Sequence, residues 1–232
     1  MQTTLIDDTI RTLLIFLLLD VIFILRTRTL NSIVKLYSFQ SFLLFIIGFL
    51  LYYEDGEIFI LVLAFLTLIS KAILLPYYIQ RIAMRLKIKR DIVFEYLTGT
   101  TSILLSLVTI TVVYKVLTNF APDLNISIQS IKFIGMVVGM SLAFIGLIVI
   151  FTRRMVITDI IGYLTMENAL VLMSYSLVEL PYIIDILIIL DVMIIALLSA
   201  TLAFGIDTSI EEFHENLTLS KIFRTSATKK RF

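Results

Sequence analysis

The chain is cut into apolar runs of membrane-spanning length, and most of its charges fall in the short connections between them. A helix that crosses a hydrocarbon core of ~30 Å needs about 20 mostly apolar residues, because each residue advances it by only ~1.5 Å. Runs near that length occupy 9–26, 32–53, 57–80, 95–118, 131–152, 155–178 and 180–204. Hydrophobic residues fill 59% of the 232 positions and the mean hydropathy is +1.04, whereas soluble domains are about 45–50% apolar. The expected fold is therefore all-α: a polytopic transmembrane helical bundle of about seven spans within 1–204, with a polar tail over 205–232. The N-terminus does not have the pattern of a cleaved signal, since Asp7 and Asp8 precede the first apolar run, Asp20 interrupts it and no small-residue cleavage site follows.

The connections predict the orientation. Basic residues favour the cytoplasmic side. Arg26, Arg28 and Lys35 surround the first connection, Arg81, Arg85, Lys87, Lys89 and Arg90 fill the third, Arg153 and Arg154 form the fifth, and Lys221, Arg224, Lys229, Lys230 and Arg231 load the tail. The alternate connections are acidic or neutral: Glu54-Asp55-Gly56-Glu57, Pro122-Asp123 and Glu179-Leu180-Pro181. The alternation predicts an outside N-terminus and a cytoplasmic C-terminus in a cell membrane. "RTRTLNSIVKLYSFQSFLLF" and "TRRMVITDIIGYLTMENALVL" share a basic turn, a tyrosine (Tyr37, Tyr163) and then a polar residue (Gln40, Glu167). This pattern predicts two parallel three-helix units, 9–80 and 131–204.

Four ionisable residues fall near the middle of their spans, where each costs ~2.5–3.5 kcal/mol on insertion scales. At 1.5 Å per residue, Asp20 lies ~18 Å and Lys71 ~21 Å from the outer boundary, Glu167 ~20 Å from the inner one, and Asp191 ~15 Å from the outer one. Low polarity disfavours charge, so such groups can exchange protons at working pH. One reading is a relay of titratable groups in the plane of the membrane. The other is that Lys71 pairs with one carboxylate while the remaining acids hold helices together. Asn168 reads as a hydrogen-bonding partner between helices. Pro76 removes a backbone donor and is expected to kink or loosen the helix near Lys71.

Other features are plainer. Gly135 and Gly139 form a small-xxx-small pattern suited to a helix contact. Glu95 reads as interfacial, Asp185 and Glu179 as water-facing, and His214 as solvated in the tail. Ile210, Phe213, Leu217 and Phe223 form an apolar stripe suited to a helix on the membrane or against a partner. With no Cys and one His, the chain lacks the ligands for disulfides, thiol catalysis, iron–sulfur clusters or a histidine metal site. A net charge of +1 gives no sign of nucleic-acid binding.

"IGYLTMENALVL", "ILDVMIIALL", "LISKAILLPYYI" and "LNSIVKLYSFQSFLL" resemble the hydrogenase-4 component E family, membrane subunits of formate hydrogenlyase-type, group 4 nickel–iron hydrogenase and complex I-like assemblies. The last three spans are also similar to the small K subunit of respiratory complex I and the C subunit of Mrp-type cation/proton antiporters. Those subunits carry a glutamate two residues after the glycine, where this chain has Leu164. Here the carboxylate is Glu167, about one turn later and on nearly the same face. A second intramembrane glutamate of the K subunit corresponds approximately to Asp191.

The resemblance implies a non-redox subunit of a redox-driven proton or sodium pump, with no catalytic centre or cofactor of its own. Glu167 and Asp191 would carry protons, Lys71 would control them through pairing, and Asp20 would be a further member. Iron–sulfur clusters and a nickel–iron or quinone site would belong to partner subunits, among them antiporter-like and redox-module anchor subunits. Two other classes fit the residues: a self-contained secondary transporter and a purely structural membrane subunit.

Overall fold

The computed structural model describes residues 2–85, 98–122, 126–153, 156–176 and Met193. Most of these residues are helical, and there is no strand among them. Helix α1 spans Gln2–Arg26 and α2 spans Leu30–Asp55. Helix α3, Ile58–Leu66, continues through a π-helical segment, Thr67–Leu74, into α4, Leu75–Arg85. Helices α5, α6 and α7 span Gly99–Phe120, Ile131–Thr152 and Val156–Ser176. Among the described residues, four helices are long and apolar enough to cross a membrane: Leu30–Glu54, Ile58–Met84, Gly99–Phe120 and Ile131–Thr152. Helices α1 and α7 are of comparable length but carry more polar groups, including Asp20 and Arg11 on α1 and Asp159, Glu167 and Asn168 on α7. Apart from Met193, the seventh expected span, with Asp191, Asp185 and Glu179, and the tail with His214 lie outside the described residues, as does Glu95.

The ends of the helices follow from local chemistry. Gly56 closes α2 with φ +72, a left-handed conformation that suits a residue without Cβ, and its N–H donates to Tyr52 O at 2.8 Å. Thr98 and Ser130 begin α5 and α6 as N-caps, accepting from the Thr101 and Phe133 backbone N–H groups. Pro76 does not simply kink its helix. The turn before it widens, so that Leu75 N–H donates to Ser70 O, five residues back.

Around an apolar core, the bundle buries several polar and charged side chains and leaves many large apolar ones on its surface. Phe16, Phe23, Phe42, Phe59, Phe65 and Phe151 are exposed, whereas Asp20, Gln40, Ser41, Lys71, Glu167 and Asn168 are buried. In the π-helical segment the buried residues are Thr67, Ser70 and Lys71, while Ile69, Ile73 and Leu74 face outward. Exposed apolar groups around buried polar ones suit a hydrocarbon surrounding.

Helices α1, α2, α3, α4, α6 and α7 share the main core, with Leu17, Tyr37, Leu44, Leu63, Ile79, Leu142 and Leu164 among its members. The glycine pattern does form a helix contact, between α6 and α7. A Cβ at Gly139 would meet Met173, and one at Gly146 would lie 2.8 Å from Gly162 O. Helix α1 packs on α6, and α2 on α7. Helix α1 runs parallel to α6 and antiparallel to α5. Gly99 and Arg153 both lie against the end of α1 near Arg26, and at the opposite end Arg11 donates to Gln129 O at 2.8 Å.

Candidate intramembrane ion-pair site

The stretch that holds Glu167 folds as α7, with the carboxylate turned into the bundle. Opposite it, the π-helical segment brings Lys71 inward. Lys71 Nζ donates to Glu167 Oε2 at 3.1 Å, and the two side chains are 2% and 1% exposed. Two of the four ionisable residues singled out in the sequence are thus brought together across 96 positions. The arrangement fits the expectation that Lys71 pairs with one carboxylate, and it leaves the relay reading compatible.

Asn168, next to Glu167, donates through Nδ2 to Gln40 Oε1 and to Ser41 Oγ, each at 3.0 Å. All three residues are fully buried. Asn168 therefore does bond between helices, and its partners are the polar pair in the middle of α2. On the other side, Pro76 deprives Ala72 O of the N–H it would meet in an α-helix. Ser38 Oγ donates to that carbonyl at 2.6 Å.

Asp20 is 3% exposed on α1, and neither carboxylate oxygen has a hydrogen-bond partner among the described residues. It is buried as expected but is not joined to the pair by a hydrogen bond or ion pair. Asp191 lies outside the described residues. Among those described, no cluster of three or more His, Cys, Asp or Glu side chains is placed to hold a metal ion.

Sequence reasoning missed several contributors. Arg153 was legible only as a basic connection. It is 5% exposed, and its guanidinium donates to Leu25 O at 2.6 Å, Thr27 O at 3.0 Å and Ile24 O at 3.4 Å. It closes the C-terminus of α1, where carbonyls lack helical partners and the dipole favours a cation. Ser38 and Ser41 carried a weak signal, being hydroxyls within an otherwise apolar run.

Chemically, the pair can exist in two forms. A proton passing from Nζ to Oε2 converts ammonium and carboxylate into amine and carboxylic acid, with no change in net charge. A low-polarity interior penalises an isolated ion far more than either balanced form. Adding or removing one proton therefore has a large electrostatic effect at this point.

No protein-family model, curated protein or solved structure matches the chain. Its class rests on its own fold and chemistry: an all-helical chain over the described residues, with apolar helices suited to a membrane and a charged pair sealed between them.

Proposed function

We propose that this chain is a membrane subunit of a redox-driven proton or sodium pump of the complex I-like, group 4 hydrogenase type. In this reading it supplies buried charges to the ion-translocation path of a cell-membrane assembly of about seven spans in this subunit, with the N-terminus outside. Glu167 and Lys71 form the switchable pair, and Asp191 and Asp20 are further stations. Redox cofactors reside in partner subunits. The observation that carries the reading is the Lys71–Glu167 ion pair at 3.1 Å, buried among membrane-length helices. A structural role alone requires no titratable pair, because well-packed apolar residues of similar volume hold helices together as well or better.

The test is Glu167→Gln in the assembled complex, isolated with whatever subunits co-purify. The proposed role predicts that the complex assembles, its redox module still turns over with artificial acceptors, and coupled ion movement across vesicles is lost. Unchanged coupled transport would leave the pair as a structural element. Ion flux in liposomes holding only this chain would instead identify a self-contained transporter.

A further inference from the structure

At the end of the bundle opposite Arg153, a cleft of about 390 Å³ opens between α1, α2, α6 and α7. Asp7, Glu54, Arg11 and Lys132 are among the residues lining it, so both charge signs are present. Deeper lining comes from Leu172, Tyr175 and Ser176 of α7, which are 1%, 4% and 7% exposed. The Tyr175 hydroxyl is buried without a hydrogen-bond partner among the described residues; it lies against Gly48, where an added Cβ would be only 2.5 Å from it, and near the Thr67 side chain. Thr67 donates its own hydroxyl proton to Leu63 O at 2.9 Å, which leaves its oxygen able to accept.

Beyond Thr67 the polar groups continue. Thr67, Ser70 and Lys71 are the buried residues of the π-helical segment. Tyr175 lies eight residues beyond Glu167, about 12 Å along α7.

We infer that this cleft is an aqueous mouth for the Lys71–Glu167 pair, and that Tyr175 is the barrier between them, passing protons and stopping metal cations. The inference rests on the function proposed above. The mouth carries both signs of charge, so it does not select an ion by charge. Selection falls to the hydroxyl. Tyr175 Oη accepts a proton from a hydronium in the cleft and releases its own to Thr67 Oγ1, whose hydroxyl proton turns away from Leu63 O and passes on toward Ser70, so that the phenol and the alcohol are each neutral before and after. A sodium ion has no such route past a ring packed against Gly48.

The chain has no Cys, so single cysteines in the full chain can be probed in membrane vesicles with a charged, membrane-impermeant methanethiosulfonate reagent. Ser176→Cys should react within about tenfold of Tyr53→Cys, an exposed position at the same end, while Ser41→Cys and Thr67→Cys should react about 100-fold more slowly or not at all. Adding Tyr175→Ala should raise the rate at Thr67→Cys by about tenfold or more, and adding Tyr175→Phe should not. Ser70→Cys replaces Thr67→Cys if the latter fails to insert. A Ser176→Cys as unreactive as Ser41→Cys overturns the mouth, and a reactive Thr67→Cys behind intact Tyr175 overturns the barrier. In the assembled complex, Tyr175→Phe should slow proton uptake by about tenfold or more. If Glu167→Gln stops transport and Tyr175→Phe does not, the relay falls while the pair's role stands. If neither changes transport, both fall, and labelling still decides whether the mouth exists.

Discussion

Removing Lys71 should harm this protein more than removing the whole ion pair. Lys71 Nζ and Glu167 Oε2 are 3.1 Å apart and sealed from solvent. At that separation and an effective dielectric constant of about 20, their attraction is about 5 kcal/mol. Desolvation of both groups offsets most of it, so the pair's net contribution is small. Lys71→Met deletes the attraction and leaves the carboxylate's desolvation in place, which costs about 3–5 kcal/mol. Lys71→Met combined with Glu167→Gln removes both charges and should lie within about 1–2 kcal/mol of the wild type. Glu167→Gln leaves the lysine unpaired and should likewise cost about 3–5 kcal/mol, so the pairwise coupling energy should be about 4–9 kcal/mol. Reversible unfolding of the purified chain in mixed micelles, titrated with sodium dodecyl sulfate and followed by circular dichroism, measures all four corners of the cycle. Additive single-mutant costs, or a Lys71→Met loss below about 1 kcal/mol, would refute the claim that the pair is sealed from water.

Arg153→Ala should destabilise the bundle by about 2–3 kcal/mol, because the carbonyls ending α1 lose a charged donor; Arg153→Lys should recover only part, and faster amide exchange near Arg26 would locate the effect. Gly146→Ala should cost about 1–3 kcal/mol in the same unfolding assay, since its Cβ would lie 2.8 Å from Gly162 O and α6 must move away from α7. Ser38→Ala should cost about 1–3 kcal/mol by uncovering Ala72 O, and Pro76→Ala, which restores a backbone donor, should lessen that cost; equal Ser38→Ala costs in both backgrounds would count against the pairing.

The legible part of the site was its charge and depth. Glu167 and Lys71 stood out because an apolar run does not carry such groups without a partner. Their pairing was not legible, since it depends on which face of each helix turns inward. The π-helical segment changes that face within one span, and Pro76 hinted at a disturbance without giving its form. Gln40 was noticed only as the counterpart of Glu167 in a repeat, and the structure places it against Asn168 instead. Arg153 was hidden by a different ambiguity. A basic residue in a connection reads equally well as solvated or as a cap, and only tertiary packing brings the α1 carbonyls to it. Gly135 and Gly139 announced a helix contact, but its close approach continues through Gly146 and Gly162, whose spacing shows no recognisable motif.

The pair is held by one helix that contributes no charge to it. Lys71 adjoins Ala72, whose carbonyl is bound by Ser38 of α2, and Glu167 adjoins Asn168, whose amide is bound by Gln40 and Ser41 of α2. Within one turn of α2, residues 38–41 therefore fix the backbone beside the lysine and the side chain beside the glutamate. A hydrocarbon surrounding offers no competing hydrogen bonds, so these contacts set the spacing between the π-helical segment and α7. Loosening either clamp should weaken the pair without altering its charges. Ser38→Ala or Asn168→Leu, placed beneath the Lys71→Met and Glu167→Gln cycle, should reduce the coupling energy by about half or more, because the interaction falls away with separation and admitted water. A coupling energy that stays the same in both backgrounds would mean that the two charged side chains find each other unaided, and that α2 is only packing.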